Sequence, residues 1–214
     1  MSAPLGSRFA YPVMLDLVDR LCLVVGGGAV AERKVERLVE AGARVTVVSP
    51  SLTQRLLRLA TDAQLRWRPR EYVPGDVDGF VLAMVATDDA AVNAAVAAEC
   101  RERGVLINCT DDPAHCSFIL PSVLKRGSLT VTVSTGGASP TMARLVREEL
   151  ETLLPSDAAA LTDVMAEVRR TLRDEGISLA AERWREALDD ELRRLAAAGH
   201  MDEARTRLLA RLGV

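Results

Sequence analysis

Asp111 and Asp112 stand side by side in Asn108-Cys109-Thr110-Asp111-Asp112-Pro113, directly after an apolar run that reads as a strand. Two adjacent carboxylates partly shielded from water can raise one pKa and furnish a proton acceptor near neutral pH. The same residues also make a plain Asp-Asp-Pro turn, in which Pro113 holds Asp112 extended. A second chemical feature lies upstream, where Leu21 to Val25 runs into Gly26-Gly27-Gly28-Ala29-Val30-Ala31. Gly26, Gly28 and Ala31 fit the spacing G-x-G-x-x-G/A. In that pattern the first glycine makes a tight turn, the second lets the backbone approach a pyrophosphate, and the third small residue lets a helix close on the sheet. The pyrophosphate would rest on the helix N-terminus, where free N–H groups and the dipole favour an anion.

Weaker candidates surround these two. A dinucleotide fold usually places an acidic residue after its second strand for the adenosine ribose, but here the positions read Ser49-Pro50-Ser51. Ser49 or Ser51 could bond the ribose, and Arg55 keeps a 2′-phosphate open. Ser51-Leu52-Thr53-Gln54 is also a capping box, a structural reason for that serine. Cys109, His115 and Cys116 invite a metal reading, yet their spacing matches no closed zinc pattern. Thr135-Gly136-Gly137-Ala138-Ser139-Pro140 either holds an anion in a nest of N–H groups or turns the chain, with Ser139 as N-cap and Pro140 as the first helical residue.

The elements that position these groups follow from periodicity. Leu21 to Val25 has the β-branching and length of a strand buried on both faces. Val35, Leu38 and Val39 form a helical apolar stripe, with Glu32, Arg33, Lys34, Glu36 and Arg37 facing outward and Gly42 ending the helix. Strands are expected at Val45 to Val48, at Leu65 to Arg68 on an edge, at Phe80 to Ala86 and at Val105 to Cys109. A helix from Ala90 to Arg103, capped by the Thr87-Asp88-Asp89 run, joins the last two. Residues 13–112 thus alternate strand and helix, the pattern of a parallel, doubly wound sheet. Tyr11 to Leu17 is extended and could pair at an edge, and residues 1–10 read as frayed. After Asp111 the rhythm changes to two strands, Ser117 to Pro121 and Leu129 to Ser134, turning through Lys125-Arg126-Gly127. Beyond Pro155 three helices are expected, near 156–175, 178–198 and 202–212.

Composition excludes several classes. The 214 residues carry 27 Lys+Arg against 30 Asp+Glu, a net charge of −3, so no global field draws the chain to nucleic acid or an anionic membrane. No apolar run spans a bilayer and no signal peptide opens the sequence. The four cysteines, Cys22, Cys100, Cys109 and Cys116, show no CxxC pairing, which suits reduced thiols and a cytoplasmic location. The part after the nucleotide fold is too small to enclose a sizeable substrate within one subunit, so a homodimer is expected to complete the cleft.

Five segments, Gly26 to Lys34, Ala86 to Asp89, Asn108 to Pro113, Ser117 to Ser122 and Gly136 to Pro140, are similar in order and spacing to the precorrin-2 dehydrogenase family of siroheme biosynthesis, which includes the N-terminal half of siroheme synthase. The resemblance covers about residues 11–155. It implies an α/β fold: a Rossmann-type NAD-binding domain over 1–114, a small α+β dimerisation and substrate segment over 115–154, and a C-terminal helical domain over 155–214. It implies NAD-dependent oxidation of precorrin-2 to sirohydrochlorin, with Asp111 rather than Asp112 assisting proton removal. Beside Gly26 and Gly28 of the glycine pattern it carries NAD contacts to Ala29, Val30, Pro50, Ser51, Ala86 and Thr87, and it makes the missing acidic ribose ligand a family trait that favours NAD. Some members also insert Fe2+ into sirohydrochlorin. The phosphorylatable serine of siroheme synthase corresponds to Thr135, and His115 stands where the family has no expected histidine. A polycarboxylate substrate calls for dispersed cations, and Lys125, Arg126, Arg144 and Arg147 are the candidates, with no resident metal. The competing class is a non-catalytic NAD(H)-sensing module, which would have no need to place a carboxylate after the fifth strand.

Overall fold

The computed structural model describes residues 11–214; the expectation for residues 1–10 lies outside them. The chain divides into two compact units, one ending at Leu120 and one running Pro121–Val214.

The first unit is a five-stranded parallel sheet. Its strands are β1 (Leu21–Val25), β2 (Arg44–Val48), β3 (Leu65–Arg68), β4 (Leu82–Val85) and β5 (Leu106–Cys109), interleaved with helices α1 (Ala29–Glu40), α2 (Gln54–Thr61) and α3 (Ala90–Arg103). The spatial order is β3-β2-β1-β4-β5, all pairs parallel. Chain direction across the sheet therefore reverses between β1 and β4, the switch point at which open α/β sheets leave a crevice outside the strands' carboxyl ends.

Strand alternation builds a core on each face. Leu23, Val25, Ala83, Val85, Ile107 and Cys109 pack with Val96, Ala97 and Cys100 of α3. Cys22, Val24, Val45, Val47, Leu82 and Met84 pack with Ala31, Val35 and Leu38 of α1 and with Leu56 and Leu59 of α2. Burial on both faces is the reason these strands read as continuous apolar runs. Gly42 and Gly104 follow α1 and α3 with positive φ, 77° and 69°, and Asp89 caps α3 by accepting from Ala91 and Val92 N–H.

Three local expectations change. α2 is capped by Thr53, whose side chain accepts from Leu56 N–H, rather than by Ser51. Tyr11 to Leu17 joins no ladder, because β3 and β5 hold the sheet's edges, and Tyr11 and Met14 are exposed. Ser117 to Pro121 is not a strand. Its backbone and side chains turn back instead onto β5, with Ser117 N–H donating to Ile107 O at 2.8 Å.

The second unit opens with an antiparallel hairpin, β6 (Ser122–Arg126) and β7 (Leu129–Val133), so Lys125 and Arg126 are strand residues and the turn is Gly127-Ser128. α4 (Pro140–Leu153) begins as expected, with Ser139 accepting from Met142 N–H and Pro140 at the first position. α5 (Ala158–Asp174), α6 (Ala181–Ala187), α7 (Asp190–Ala197) and α8 (Met201–Leu212) follow. The expected middle helix is two, because Asp189 caps a new start at α7. Leu161, Val164, Val168, Leu172, Trp184, Leu192, Leu208 and Leu212 form this bundle's core.

Candidate functional site

The glycine turn is shaped by what stands against it. A β-carbon on Gly26, which has φ 116°, would lie 2.3 Å from Ala86 O, and one on Gly27 would lie 1.9 Å from Ser51 O. Neither position admits a side chain. At Gly28, with φ −84°, an added β-carbon meets nothing within 4 Å. Backbone bonds Gly26 N–H to Val48 O and Thr53 N–H to Gly27 O, at 2.9 and 3.0 Å, tie the turn to the end of β2. The residues after β1, β2 and β4 thus converge, bringing together Gly26, Gly28, Ala29, Val30, Pro50, Ser51, Ala86 and Thr87.

These groups fit a dinucleotide. Gly28 caps α1 without a side chain, and the first intrahelical bond runs from Glu32 N–H to Gly28 O, so the N–H groups of Ala29, Val30 and Ala31 have no intrahelical partner. Ala31 is fully buried against the sheet, as the third small residue of the pattern must be. Thr87 is fixed by Asn93, whose side-chain amide donates to Thr87 O at 3.1 Å while the Thr87 hydroxyl donates to Asn93 Oδ1 at 2.6 Å. At the ribose position the two serines separate. Ser49 is buried and its hydroxyl donates to Ser51 O at 2.8 Å, which removes it from ligand contact and leaves Ser51 exposed. Arg55 is committed to Glu36, Nε to Oε1 at 2.9 Å.

At the adjacent strand end, Thr110 N–H and hydroxyl both donate to Val85 O at 3.0 Å. Asp111 follows, exposed and in the left-handed region at φ 55°, a conformation that non-glycine residues adopt at a cost and mostly where the surroundings enforce it. Asp112 turns to His115, Oδ2 to Nδ1 at 2.5 Å. That bond first, then the His115 charge and the N–H groups of His115 and Ala114, holds Asp112 below the ordinary carboxylate range despite partial burial. Asp112 is therefore not a raised-pKa acceptor, and His115 is paired to it on a short 3-10 turn.

The metal reading of this loop finds no support. Cys116 Sγ accepts from Cys109 N–H at 3.1 Å, and burial pushes the Cys109 thiol up to about 11, away from the thiolate a metal needs. Among the described residues no group of three His, Cys, Asp or Glu side chains is placed to hold an ion.

Two residues escaped the sequence reading. Lys34, expected outward, is only 9% exposed, and its Nζ donates to Asn108 Oδ1 at 2.7 Å across 74 positions of sequence. The available signal was spacing: Ala31, Lys34, Val35 and Leu38 follow i, i+3, i+4, i+7, which is the buried face of α1.

In the second unit the four candidate cations differ. Lys125 is exposed. Arg144 extends into solvent and bonds Glu148 at 2.9 Å. Arg126 donates to Leu154 O and Glu151 O, at 3.0 and 2.9 Å, closing the C-terminal end of α4. Arg147 is mostly covered and pairs with Glu148 and Glu151. Thr135 and Ser139 bond each other across the glycine loop, Ser139 N–H to Thr135 Oγ1 at 2.9 Å, so this loop is a self-satisfied turn before α4.

A doubly wound parallel sheet with an open glycine turn at its switch point defines a dinucleotide-binding protein. The family model described as "Putative NAD(P)-binding" matches residues 13–122, half of the chain, and the chain belongs to that family. A second model, sirohaem biosynthesis protein central, matches residues 126–153. The siroheme synthase of Photorhabdus laumondii is 37% identical over 199 residues, 92% of this chain and 42% of the relative. That of Methylobacillus flagellatus is 44% identical over 162 residues, 76% of this chain and 35% of the relative. The chain thus spans about two-fifths of the length of the curated relatives it matches. The solved structure of SirC, a precorrin-2 dehydrogenase, superposes with a TM-score of 0.73 at 27% identity, covering 92% of this chain and 100% of that one.

Proposed function

We propose that this chain oxidises precorrin-2 to sirohydrochlorin with NAD+, Asp111 assisting proton removal. The observation that carries the reading is the position of Asp111. Thr110 fixes it to the last carbonyl of β4, and Ala86, the residue after that strand, walls the glycine turn. The likeness to SirC, which covers that whole chain, and to the siroheme synthases supports the same chemistry.

NAD+, when bound, supplies the hydride acceptor. Ala29 and Val30 would present N–H groups to its pyrophosphate, the bare Gly28 would leave room for close approach, and the exposed Ser51 would meet the ribose. Arg55, the cation nearest in sequence to the ribose position, is paired with Glu36 on the surface, and the reading of NAD rests on the likeness to the precorrin-2 dehydrogenase. Asp111 accepts a proton from the macrocycle as hydride departs, so oxidation does not build positive charge on the ring. Lys125 and Arg144 reach solvent and are the better placed to meet substrate carboxylates; Arg126 and Arg147 serve first to hold α4.

We further propose a cytoplasmic homodimer. Residues 115–154 form its contact and substrate segment, and the exposed side chains of Val123, Met142, Leu145, Leu150 and Leu153 are its apolar face. No helix among the described residues is long and apolar enough to cross a membrane.

The test supplies purified protein with precorrin-2 and NAD+ and follows NADH formation and the pigment's spectrum; absence of NADH overturns the assignment. Asp111→Ala should abolish turnover while NAD+ binding persists, and retained turnover would move the base elsewhere, Asp112 first. Anaerobic addition of Fe2+ or Co2+ then shows whether colour change exceeds the spontaneous rate, which decides metal insertion.

A further inference from the structure

We propose that Lys34 and Asn108 are a positioning pair that holds the Asp111 loop onto the helix carrying the glycine turn, setting the proton acceptor and the cofactor against each other through one buried hydrogen bond. The inference rests on the reading of Asp111 as the base.

Lys34 lies in the second turn of α1, on the helix whose N-terminus meets the cofactor, and Asn108 lies in β5 three residues before Asp111. Both are buried, 9% and 8% exposed. Asn108 uses both ends of its amide. Oδ1 accepts from Lys34 Nζ at 2.7 Å, while Nδ2 donates to Phe118 O at 3.1 Å and lies 3.7 Å from Cys116 Sγ. The amide therefore bridges the two stems of the loop that carries Asp111. Those stems are joined again by Ser117, which exchanges bonds of 2.8 Å with Ile107, and by Cys116 Sγ accepting from Cys109 N–H. Among these ties only the Lys34 bond connects the loop's base to α1; the others are internal to β5 and the return segment.

Stability alone is a weak reason for a lysine here. Burial lowers the Lys34 pKa, opposed in smaller measure by the Cys116 and Cys109 thiols and the Asp111 carboxylate. Its hydrogen-bond partner, the Asn108 side chain, is a neutral amide, which recovers little of the hydration an ammonium loses. An unbranched apolar side chain would fill the same space without that cost. A lysine at this point gains its worth from orienting Asn108, and with it the base of the loop that carries Asp111.

The experiment compares K34M, N108L and the double variant with the wild-type full chain. Each single variant should lower kcat about ten- to a hundredfold, the penalty of a base displaced by an ångström or so, while the Kd for NAD+ stays within about twofold. The double variant should be no slower than the slower single one, because the two residues act as one unit. K34R, which keeps the charge and a donor, should recover part of kcat. Peptide-resolved hydrogen exchange supplies a readout independent of turnover: residues 108–118 should exchange faster in K34M, and those of β1 should not. Unchanged kcat in K34M, a loss confined to NAD+ affinity, additive losses in the double variant, or exchange of 108–118 indifferent to K34M would each overturn the proposal. An inactive wild type would sink the dehydrogenase reading alone and leave the exchange arm to decide this one. If K34M does not fold, N108L and K34Q carry the same comparison.

Discussion

At Gly28 an added methyl group meets no protein atom within 4 Å, and the backbone at φ −84° tolerates any residue. The space it would enter is the one a pyrophosphate needs. Gly28→Ala should cost the fold at most about 1 kcal/mol, the difference between glycine and alanine at an N-cap, and weaken NAD+ binding by about tenfold or more, ~1.4 kcal/mol; calorimetric titration beside a thermal melt checks both. Unchanged affinity would remove the pyrophosphate from this turn. Gly26 and Gly27 cannot serve as that test, because β-carbons there collide with Ala86 O and Ser51 O and the fold suffers with the ligand. Asp111 is the other residue whose context matters more than its type. Its neighbour Asp112 is engaged by His115, which leaves Asp111 as the carboxylate that projects unaccompanied by a histidine.

Among the elements, α7 depends on one carboxylate. Asp189 caps it by accepting from Leu192 N–H at 2.9 Å and takes Arg207 of α8 in two bonds of 2.9 and 2.6 Å. The Arg207 bonds first, then the Leu192 N–H and the charges of Arg207 and Arg211, hold this carboxyl well below its ordinary value of 3.8 against some desolvation. A depressed folded pKa gives stability that is complete above the unfolded value and lost as pH falls through the folded one. Asp189→Ala should therefore destabilise the helical unit by about 1–2 kcal/mol at neutral pH, as loss of a cap does. The difference from wild type should shrink as pH is lowered below about 4. Thermal melts followed by circular dichroism across that range decide it, and a pH-independent difference would mean that the charge plays no part.

At the scale of the whole molecule, the second unit exposes more apolar surface than its own core requires. Leu153 is 74% exposed and Leu145 47%, so carboxylates there cost the isolated protomer little. Leu145→Glu with Leu153→Glu should convert a dimer to a monomer in sedimentation analysis and lower turnover with it. A wild-type monomer of full activity would refute the dimer outright.

The alternation of strand and helix, the glycine turn, the caps at Asp89 and Ser139 and the edge position of β3 were legible in the residues, because each depends on neighbours within a few positions of the chain. The same locality explains the failures. Thr53 rather than Ser51 caps α2, Ser117 to Pro121 folds back on β5 instead of forming a strand, and the tail's middle helix breaks at Asp189; in each case competing local patterns were resolved by contacts made elsewhere. By itself the sequence determined a parallel sheet with a dinucleotide turn and put a carboxylate after the fifth strand. The pairings of Ser49 with Ser51 and of Asp112 with His115 are local but were one choice among several the sequence allowed; that Lys34 points inward to Asn108 only the tertiary structure decided, because a polar side chain's partner 74 positions away leaves no trace in local periodicity.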